Sequence, residues 1–271
     1  MLDLNVRLVS ILGVLTVIVL LGLTLDYLGK LQRPFRLGLW VALLGIAAGG
    51  LFTFMAVRPV GHFYGPVFSE LKTAQKVVAL TFDDGPYPPY TDQILDILKE
   101  ARVPATFFVV GLNAQKYPDL LRRIVAEGHQ VGNHTYHHLD LLKADSVAIS
   151  KEVDSTNATI MDITGKGTLL VRPPHGFRDA LVMEMMAERK LSVVEWSVAS
   201  RDWTNPGVET IVDRTLSKVK NGAIILLHDG DGVEQAASRA QTVEATRRII
   251  RELKAEGYTF VTVSEILKPE D

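Results

Sequence analysis

From about Lys76 onward, short runs of apolar and β-branched residues alternate with longer segments of helical periodicity. This alternation predicts an α/β fold with a parallel sheet, because a parallel connection needs a crossover long enough for a helix. Seven runs have the composition of strands, at residues 76–82, 105–110, 129–134, 168–171, 191–197, 222–228 and 258–263. For a chain of this length we predict a closed or nearly closed barrel.

The first 57 residues have a different composition. No charged residue occurs at positions 8–25 or 37–57, stretches of 18 and 21 residues. About 20 apolar residues cross a bilayer as a helix, so we predict two transmembrane helices at about 8–28 and 37–57. The alternatives are a signal peptide for the first run and a buried core helix for either run.

The connector between these predicted spans carries Lys30, Arg33 and Arg36. Because positively charged loops tend to stay in the cytoplasm, we expect both chain ends outside, with the protein in the cell membrane as a multi-pass protein. Residues 58–73 are rich in glycine and proline and are predicted to be a linker. The domain predicted at 74–271 would then be extracytoplasmic and tethered to the lipid bilayer.

Charge and cysteine content exclude several classes of function. The formal net charge is −2, so no long-range attraction to nucleic acid is expected. The chain has no cysteine, which excludes disulfides, thiolate metal ligands and a cysteine nucleophile. No protein partner is predicted.

Residues with reactive side chains follow the predicted strands. They are Asp83 and Asp84 after the first strand, His134 and His138 after the third, Arg172 after the fourth, Asp202 and Trp203 after the fifth, and His228 and Asp229 after the sixth. In a parallel barrel these strand ends share one face, where enzymes of this architecture keep their sites. One pocket is therefore predicted to hold them all.

The segment GNHTYHH places two histidines four positions apart. A helical or tight-turn backbone would direct His134 and His138 the same way, as two metal ligands require, and His137 is an alternative partner. A solvated histidine-rich turn is the other interpretation. Asp83 or Asp84 would complete a set of two histidines and one aspartate, suited to Zn²⁺ or a similar ion. The other aspartate could then accept a proton from the attacking water.

Two further residues are candidates for catalysis. Arg172 could orient a neighbouring carboxylate or form an ordinary surface ion pair, and its rigid turn could present a backbone N–H to an oxyanion. His228 could protonate a leaving group, with its pKa raised by Asp202, or be structural. Trp203 could stack on a sugar ring or cap the core, and Trp196 is predicted to be core.

In order, TFDDGP, HTYHH, RPPHG, RDW and LLHD resemble the five motifs of the polysaccharide deacetylases, the NodB homology domain or carbohydrate esterase family four. The resemblance covers residues 74–267 and implies a distorted (β/α)7 barrel, similar to a TIM barrel but with fewer units. It also implies metal-dependent hydrolysis of acetyl groups from N-acetylated sugar polymers or, in some members, from acetylated xylan.

The resemblance implies roles for the motif residues. Asp83 corresponds to the catalytic base, while Asp84, His134 and His138 correspond to the ligands of a divalent ion. Zn²⁺ is expected, with Co²⁺ or Fe²⁺ as alternatives.

The remaining motifs supply the acid and the pocket. Arg172 corresponds to the residue that steers the base, and His228 corresponds to the acid, supported by Asp202. Trp203 and Leu226 would line the pocket for the acetyl methyl group.

Two positions depart from the family pattern. His175 stands where many members have tyrosine, whose backbone N–H serves the oxyanion, and we expect His175 among the substrate-binding residues. A main-chain donor survives this change, although the shape of the pocket changes. Ala199 stands ahead of SRDW, where an acid is frequent, so the fourth motif is the loosest match.

The resulting hypothesis is a membrane-anchored carbohydrate N-deacetylase, a metal-dependent hydrolase of non-peptide carbon–nitrogen bonds. Its expected substrate is an N-acetylglucosamine-type glycan, with cell-wall peptidoglycan first, because a tethered domain reaches only nearby polymer. Two alternatives remain: a catalytically inactive glycan-binding membrane protein, and a deacetylase acting on xylan or a small amide.

Overall fold

The computed structural model describes residues 8–30, 32–56, 58–234 and 236–267, in which ten α-helices and eight strands occur. The helices are α1 (Leu8–Tyr27), α2 (Arg33–Ala56), α3 (Tyr90–Ala101), α4 (Gly111–Lys116), α5 (Pro118–Ala126), α6 (Ser146–Thr164), α7 (Ala180–Glu188), α8 (Val208–Leu216), α9 (Ala240–Ala255) and α10 (Val263–Ile266). The strands are β1 (Val77–Asp83), β2 (Thr106–Val109), β3 (Gln130–Asn133), β4 (Leu170–Val171), β5 (Ser192–Val193), β6 (Val198–Ala199), β7 (Ala223–His228) and β8 (Thr259–Phe260).

The strands form one parallel sheet in the order β5-β4-β3-β2-β1-β7-β6, and β8 pairs with the beginning of β1. The predicted parallel α/β architecture is therefore confirmed. Among the described residues no strand pairing joins β5 to β6, so the sheet curves into a half-barrel that is open along one side. This differs from the closed barrel that the sequence also allowed.

The opening explains why seven predicted strands became eight. The predicted strand at 191–197 crosses from one edge of the sheet to the other. Its first half follows β4, where Val194 N donates to Val171 O at 2.9 Å, and its second half reaches β7, where Ser197 N donates to Ile224 O at 3.1 Å. The run therefore yields β5, and β6 follows at its end.

The two faces of β1 separate the helix-facing core from the barrel interior. Side chains alternate along a strand. Val78, Leu80 and Phe82 are fully buried in the core cluster that includes residues of α3, α5 and α9. The other face carries Thr81 and Asp83, which are also buried and lie on the concave side of the half-barrel.

Residues 58–73, predicted to be a linker, make backbone contacts along the opening. Phe68 N donates to Val193 O at 2.9 Å, and Glu195 N donates to Phe68 O at 2.8 Å. Farther along, Leu71 N donates to Gly222 O at 2.9 Å. This segment therefore bridges the two edges of the open sheet.

The N-terminal region forms the helix pair α1 and α2. No helix in the described part of the chain is long and apolar enough to cross a membrane, so the predicted spans at 8–28 and 37–57 are not supported. Charged residues fall inside the helices: α2 begins at Arg33 rather than after Arg36, and Arg36 Nε contacts Asp26 Oδ1 of α1 at 2.5 Å. Residues 1–7 and 57 of the predicted N-terminal region, and residues 268–271 of the predicted domain at 74–271, lie outside the described residues.

Candidate active site

A cleft of ≈ 590 Å³ opens at the carboxyl ends of the strands. Its walls come from the segments that follow β1, β3, β4, β5, β6 and β7. They include most of the residues that the sequence predicted for one pocket, namely Asp83, Asp84, His134, His138, His175, Trp203, Leu226 and His228. Arg172 and Asp202 lie directly behind this wall, where each contacts one of its members.

Asp83, the last residue of β1, is held by Arg172. The Arg172 guanidinium is fully buried, and its Nη1 donates to Asp83 Oδ1 at 2.7 Å and to Thr81 Oγ1 at 2.8 Å. Its Nε and Nη2 donate to the carbonyls of Val194 and Glu195 at 3.2 and 3.0 Å. With its donors used in this way, the arginine fixes one oxygen of Asp83 and leaves Oδ2 toward the histidines, as charge-assisted pairs of this type do.

Asp84, His134 and His138 form a cluster whose potential ligand atoms all lie within 4.8 Å of one another. Asp84 Oδ1 is 3.2 Å from His138 Nε2 and 3.5 Å from His134 Nε2. His134 Nδ1 donates to the carbonyl of Arg172 at 2.6 Å, which leaves the lone pair on Nε2 toward the cluster.

These residues fit a divalent metal ion. Asp84 Oδ1 is buried and has no hydrogen-bond partner in the described part of the chain, and an orphaned buried carboxylate oxygen is costly. Two imidazole nitrogens and one carboxylate oxygen are the donor types of an open Zn²⁺ site. The identity of the ion is not fixed by this donor set, because Co²⁺ and Fe²⁺ accept the same ligands.

The electrostatics of the cluster favour the ligand protonation states at Asp84 and His138 but not at His134. Burial alone would lower the pKa of His134, but interaction with Asp83 and Asp84 outweighs it and raises that pKa, so a metal ion would have to displace a proton there. Burial alone would raise the pKa of Asp84, but interaction with His134, His138 and His228 outweighs it and lowers that pKa well below its usual range. Burial lowers the pKa of His138 to about 4 against the attraction of Asp84. An ionised carboxylate and a neutral imidazole are therefore available near neutral pH.

A turn rather than a helix brings the two histidines together. Asp84, Thr135 and His138 have positive φ angles of 78°, 64° and 55°, a conformation that non-glycine residues adopt rarely and often at functional sites. The alternative ligand His137 lies outside the cluster, because its Nδ1 contacts Glu152 Oε1 at 2.7 Å.

His228, the last residue of β7, is paired with Asp202. Its Nδ1 lies 2.9 Å from Asp202 Oδ1, and its backbone N donates to Oδ2 at 2.8 Å. Ser200 and Thr242 donate hydroxyl hydrogen bonds to the same carboxylate at 3.0 and 2.9 Å. Burial alone would lower the pKa of His228, but the charge and hydrogen bond of Asp202 raise it to about 9. The imidazole is therefore protonated at neutral pH.

This pairing predicts the alkaline limit of activity. The proposed acid stays protonated until about pH 9, so kcat/KM should hold to that pH and fall above it. Asp202→Asn removes the charge that raises the pKa, and the limit should move down by about 1 to 2 units. Rate profiles between pH 6 and 10 measure this, with the exposed Asp213→Asn as control. An unchanged limit in the Asp202 variant would contradict the pairing.

The raised pKa of His228 also makes the stability of the fold depend on pH. The folded-state pKa of His228 lies above the ordinary value, so its contribution to folding is fully present below about pH 6.5. That contribution is lost as the pH rises through the folded-state value of about 9.

The other predicted pocket residues lie around this centre. The ring of His175 is 5.0 Å from that of His138, and Trp203 meets His228 edge to face at 5.2 Å between ring centroids. Leu226 lies on β7 at the base of the cleft. Trp196, predicted to be core, packs partly buried against a core cluster and also lines the cleft, where the chain leaves β5 to cross the opening.

Several supporting residues were missed by the sequence analysis. Thr81 had a usable signal, since it precedes Asp83 by two positions and must share its face of the strand. Asn113 had none: its Nδ2 donates to Asp84 O at 2.8 Å and to Gly232 O at 2.7 Å. Asp229 was predicted for the pocket itself, after the sixth strand. It lies beside the site, where it accepts hydrogen bonds from Gly85 N and Thr91 Oγ1.

A family model described as polysaccharide deacetylase matches residues 70–194. The peptidoglycan-N-acetylglucosamine deacetylase of Bacillus cereus is 40% identical over 214 residues, which are 78% of this chain and 96% of that protein. The chain belongs to the polysaccharide deacetylase family. The family assignment made from the five motifs is thus confirmed, and so is the enzyme class, a hydrolase of carbon–nitrogen bonds in N-acetyl groups.

Two further members of the family extend the comparison. A chitooligosaccharide deacetylase of Rhizobium leguminosarum bv. trifolii is 42% identical over 199 residues, covering 71% of this chain and 93% of the relative. The crystal structure of a peptidoglycan N-acetylglucosamine deacetylase superposes with a TM-score of 0.70 at 33% identity. That match covers 74% of this chain and 92% of the other, so the half-barrel is the family fold.

Proposed function

We propose that this deacetylase removes N-acetyl groups from N-acetylglucosamine-type glycans, with cell-wall peptidoglycan as the first candidate. The observation that carries the proposal is the buried convergence of Asp84, His134 and His138 beside an arginine-held Asp83. The related deacetylases act, by name, on peptidoglycan N-acetylglucosamine and on chitooligosaccharides, which supports an N-acetylglucosamine-type substrate. Because peptidoglycan lies outside the cytoplasm, the proposal also assigns the catalytic domain to the extracytoplasmic side.

The chain supplies a base on one side of the cluster. A divalent ion held by Asp84, His134 and His138 would act as a Lewis acid and make water a stronger nucleophile near neutral pH. Asp83 Oδ1 is occupied by Arg172, whereas Oδ2 lies 3.8 Å from His134 Nε2 and faces the cluster. Asp83 would therefore accept the proton from the attacking water through Oδ2.

The chain also supplies an oxyanion donor and an acid. In the RPPHG turn, the N–H groups of Gly176 and Phe177 donate to the carbonyls of Pro173 and Pro174 at 3.0 and 3.1 Å. This leaves the N–H of His175 as the donor of the turn toward an oxyanion. His228, protonated at neutral pH, would pass a proton to the departing sugar nitrogen as the carbon–nitrogen bond breaks. The products are acetate and a glucosamine amine.

Acetate release from defined glycans tests this function. The purified full chain is incubated with N-acetylglucosamine oligomers, peptidoglycan fragments, acetylated xylan and a small acetamide, each with and without a chelator. We expect release from the N-acetylglucosamine substrates, its loss on chelation and its return with Zn²⁺. Release that survives removal of the metal would contradict the assigned cluster.

The same panel separates the alternatives. Activity restricted to xylan or to the small amide would replace the proposed substrate. Retained binding of the oligomers without acetate release, in protein that carries a metal ion, would favour a glycan-binding protein that has lost turnover.

A further inference from the structure

A buried arginine ties the segment before the sheet to the RPPHG turn. We call residues 58–71 the strap. Arg178 is 1% exposed, and its Nη2 donates to the strap carbonyls of Arg58 at 2.6 Å and Gly61 at 2.8 Å. Its Nη1 donates to the carbonyl of Gly176, in the turn, at 2.9 Å. One planar guanidinium therefore holds both pieces of chain at once.

A second connection runs from the strap through Glu195 to Arg172. The strap residue Phe68 brackets the end of β5, donating to Val193 O and accepting from Glu195 N at 2.9 and 2.8 Å. The carbonyl of Glu195 accepts from Arg172 Nη2 at 3.0 Å. The carboxylate of Glu195 lies 3.3 Å from Arg178 Nη1, so the two connections meet in one buried ion pair.

The turn is packed directly on this ion pair. Gly176 has a φ of 70°, and a Cβ there would lie 2.7 Å from Glu195 Oε2 and 2.9 Å from the Trp196 ring. The Arg178–Glu195 ion pair and the turn are therefore in direct contact, with no free space between them. A displacement of Arg178 or Glu195 would be passed to the neighbouring His175 N–H and, through Arg172, to Asp83.

We propose that the strap contributes to catalysis. Arg178 is the positioning residue through which the strap holds the RPPHG turn and its oxyanion donor, the His175 N–H. This inference rests on the proposed function, since it concerns the donors and the base of that reaction. Misplacing reacting groups by about 1 Å can cost about 100-fold in rate. Loss of the Arg178 hydrogen bonds to the strap and the turn should therefore lower kcat and leave substrate binding and metal content nearly unchanged.

The test compares kinetics in two arginine variants of the full chain. Arg178→Met is expected to lower kcat by about 10- to 100-fold with KM within about twofold, the signature of an interaction needed in the transition state. Arg178→Lys, which keeps a charge and some donors, should recover part of kcat. Arg189→Met, which removes an arginine paired with Asp154 near the surface at 2.7 Å, is the matched control and should match the unsubstituted chain.

The backbone connection gives a second pair of variants, which decides the question if Arg178→Met does not fold. Phe68→Pro removes the N–H that donates to Val193 O, whereas Phe68→Ala keeps it. Hydrogen exchange of residues 172–177 should rise in Phe68→Pro and in the Arg178 variants and stay unchanged in Phe68→Ala and Arg189→Met.

Three outcomes would overturn the strap proposal. They are unchanged kcat and exchange in the Arg178 variants, loss of kcat only in proportion to lost metal, and equal effects of proline and alanine at Phe68. An unsubstituted chain that releases no acetate from any glycan would count against the proposed function. The exchange measurement would still decide whether the strap holds the turn.

Discussion

Asp83→Asn is expected to lower kcat for acetate release by about 10²- to 10⁴-fold, the range that general-base catalysis contributes, while the protein keeps its metal. An asparagine amide can still accept the hydrogen bond from Arg172 through its oxygen, but it cannot take up a proton from water. The variant therefore separates proton transfer from the architecture around it.

Stability must be measured with this variant. Breaking a buried ion pair costs about 3 to 5 kcal/mol when one charge is left without a partner, and Arg172 is fully buried. Asparagine keeps an acceptor, so we expect a smaller loss, seen as a lower Tm with a folded protein at assay temperature. Metal analysis of the same sample gives the ion content per chain.

Glu234→Gln is the matched control for Asp83→Asn. Glu234 is an exposed acid that lines the same cleft, so its replacement removes a negative charge near the site without touching the cluster. We expect nearly unchanged kcat for this variant. Turnover retained by Asp83→Asn would rule out Asp83 as the base.

His134→Ala is expected to lower both metal affinity and turnover. The substitution removes one of three convergent ligand atoms and the hydrogen bond from Nδ1 to the carbonyl of Arg172. Loss of a supporting residue alone typically costs 10- to 100-fold in metal affinity, so loss of a ligand should cost more than about 100-fold. Titration with Zn²⁺ against a competing chelator measures the affinity, and added Zn²⁺ should restore only part of kcat.

His137→Ala provides the comparison at the same turn. This histidine is about half-exposed, contacts Glu152 and lies outside the ligand cluster. Its replacement should leave the Zn²⁺ affinity within about twofold of the unsubstituted chain, because the three ligand atoms remain. Full metal content in His134→Ala, or equal losses in both variants, would show that the cluster is not the metal site.

Local sequence patterns predicted the sheet but not its opening. Period and composition are properties of a short segment, so the buried strand β1 and its helical neighbours could be recognised directly. The run at 191–197 has the composition of one strand, yet its two halves bond to Val171 and Ile224 on opposite edges of the sheet. Such a division depends on partners distant in sequence. Hydropathy likewise gave no sign that α2 begins at Arg33.

The same distinction applies to the site. Most of the residues that the sequence places at strand ends do meet in one cleft, because parallel strands present those ends on one side of the sheet. The tight turn that joins His134 and His138 needs positive φ at Thr135, which a sequence pattern does not encode. Arg178 and Glu195 were missed altogether, since their importance comes from contacts with the strap more than 100 residues earlier in the chain.

The register between β1 and β7 places Asp83 directly beside His228. The spacing between the proposed base and acid is thus set by main-chain ladder bonds, which resist change, rather than by the flexible connections at the rim. Insertions or deletions at the rim could reshape the entrance and admit a different polymer while the proton-transfer distance stays constant. An architecture of this kind allows substrate range to diversify without rebuilding the chemistry.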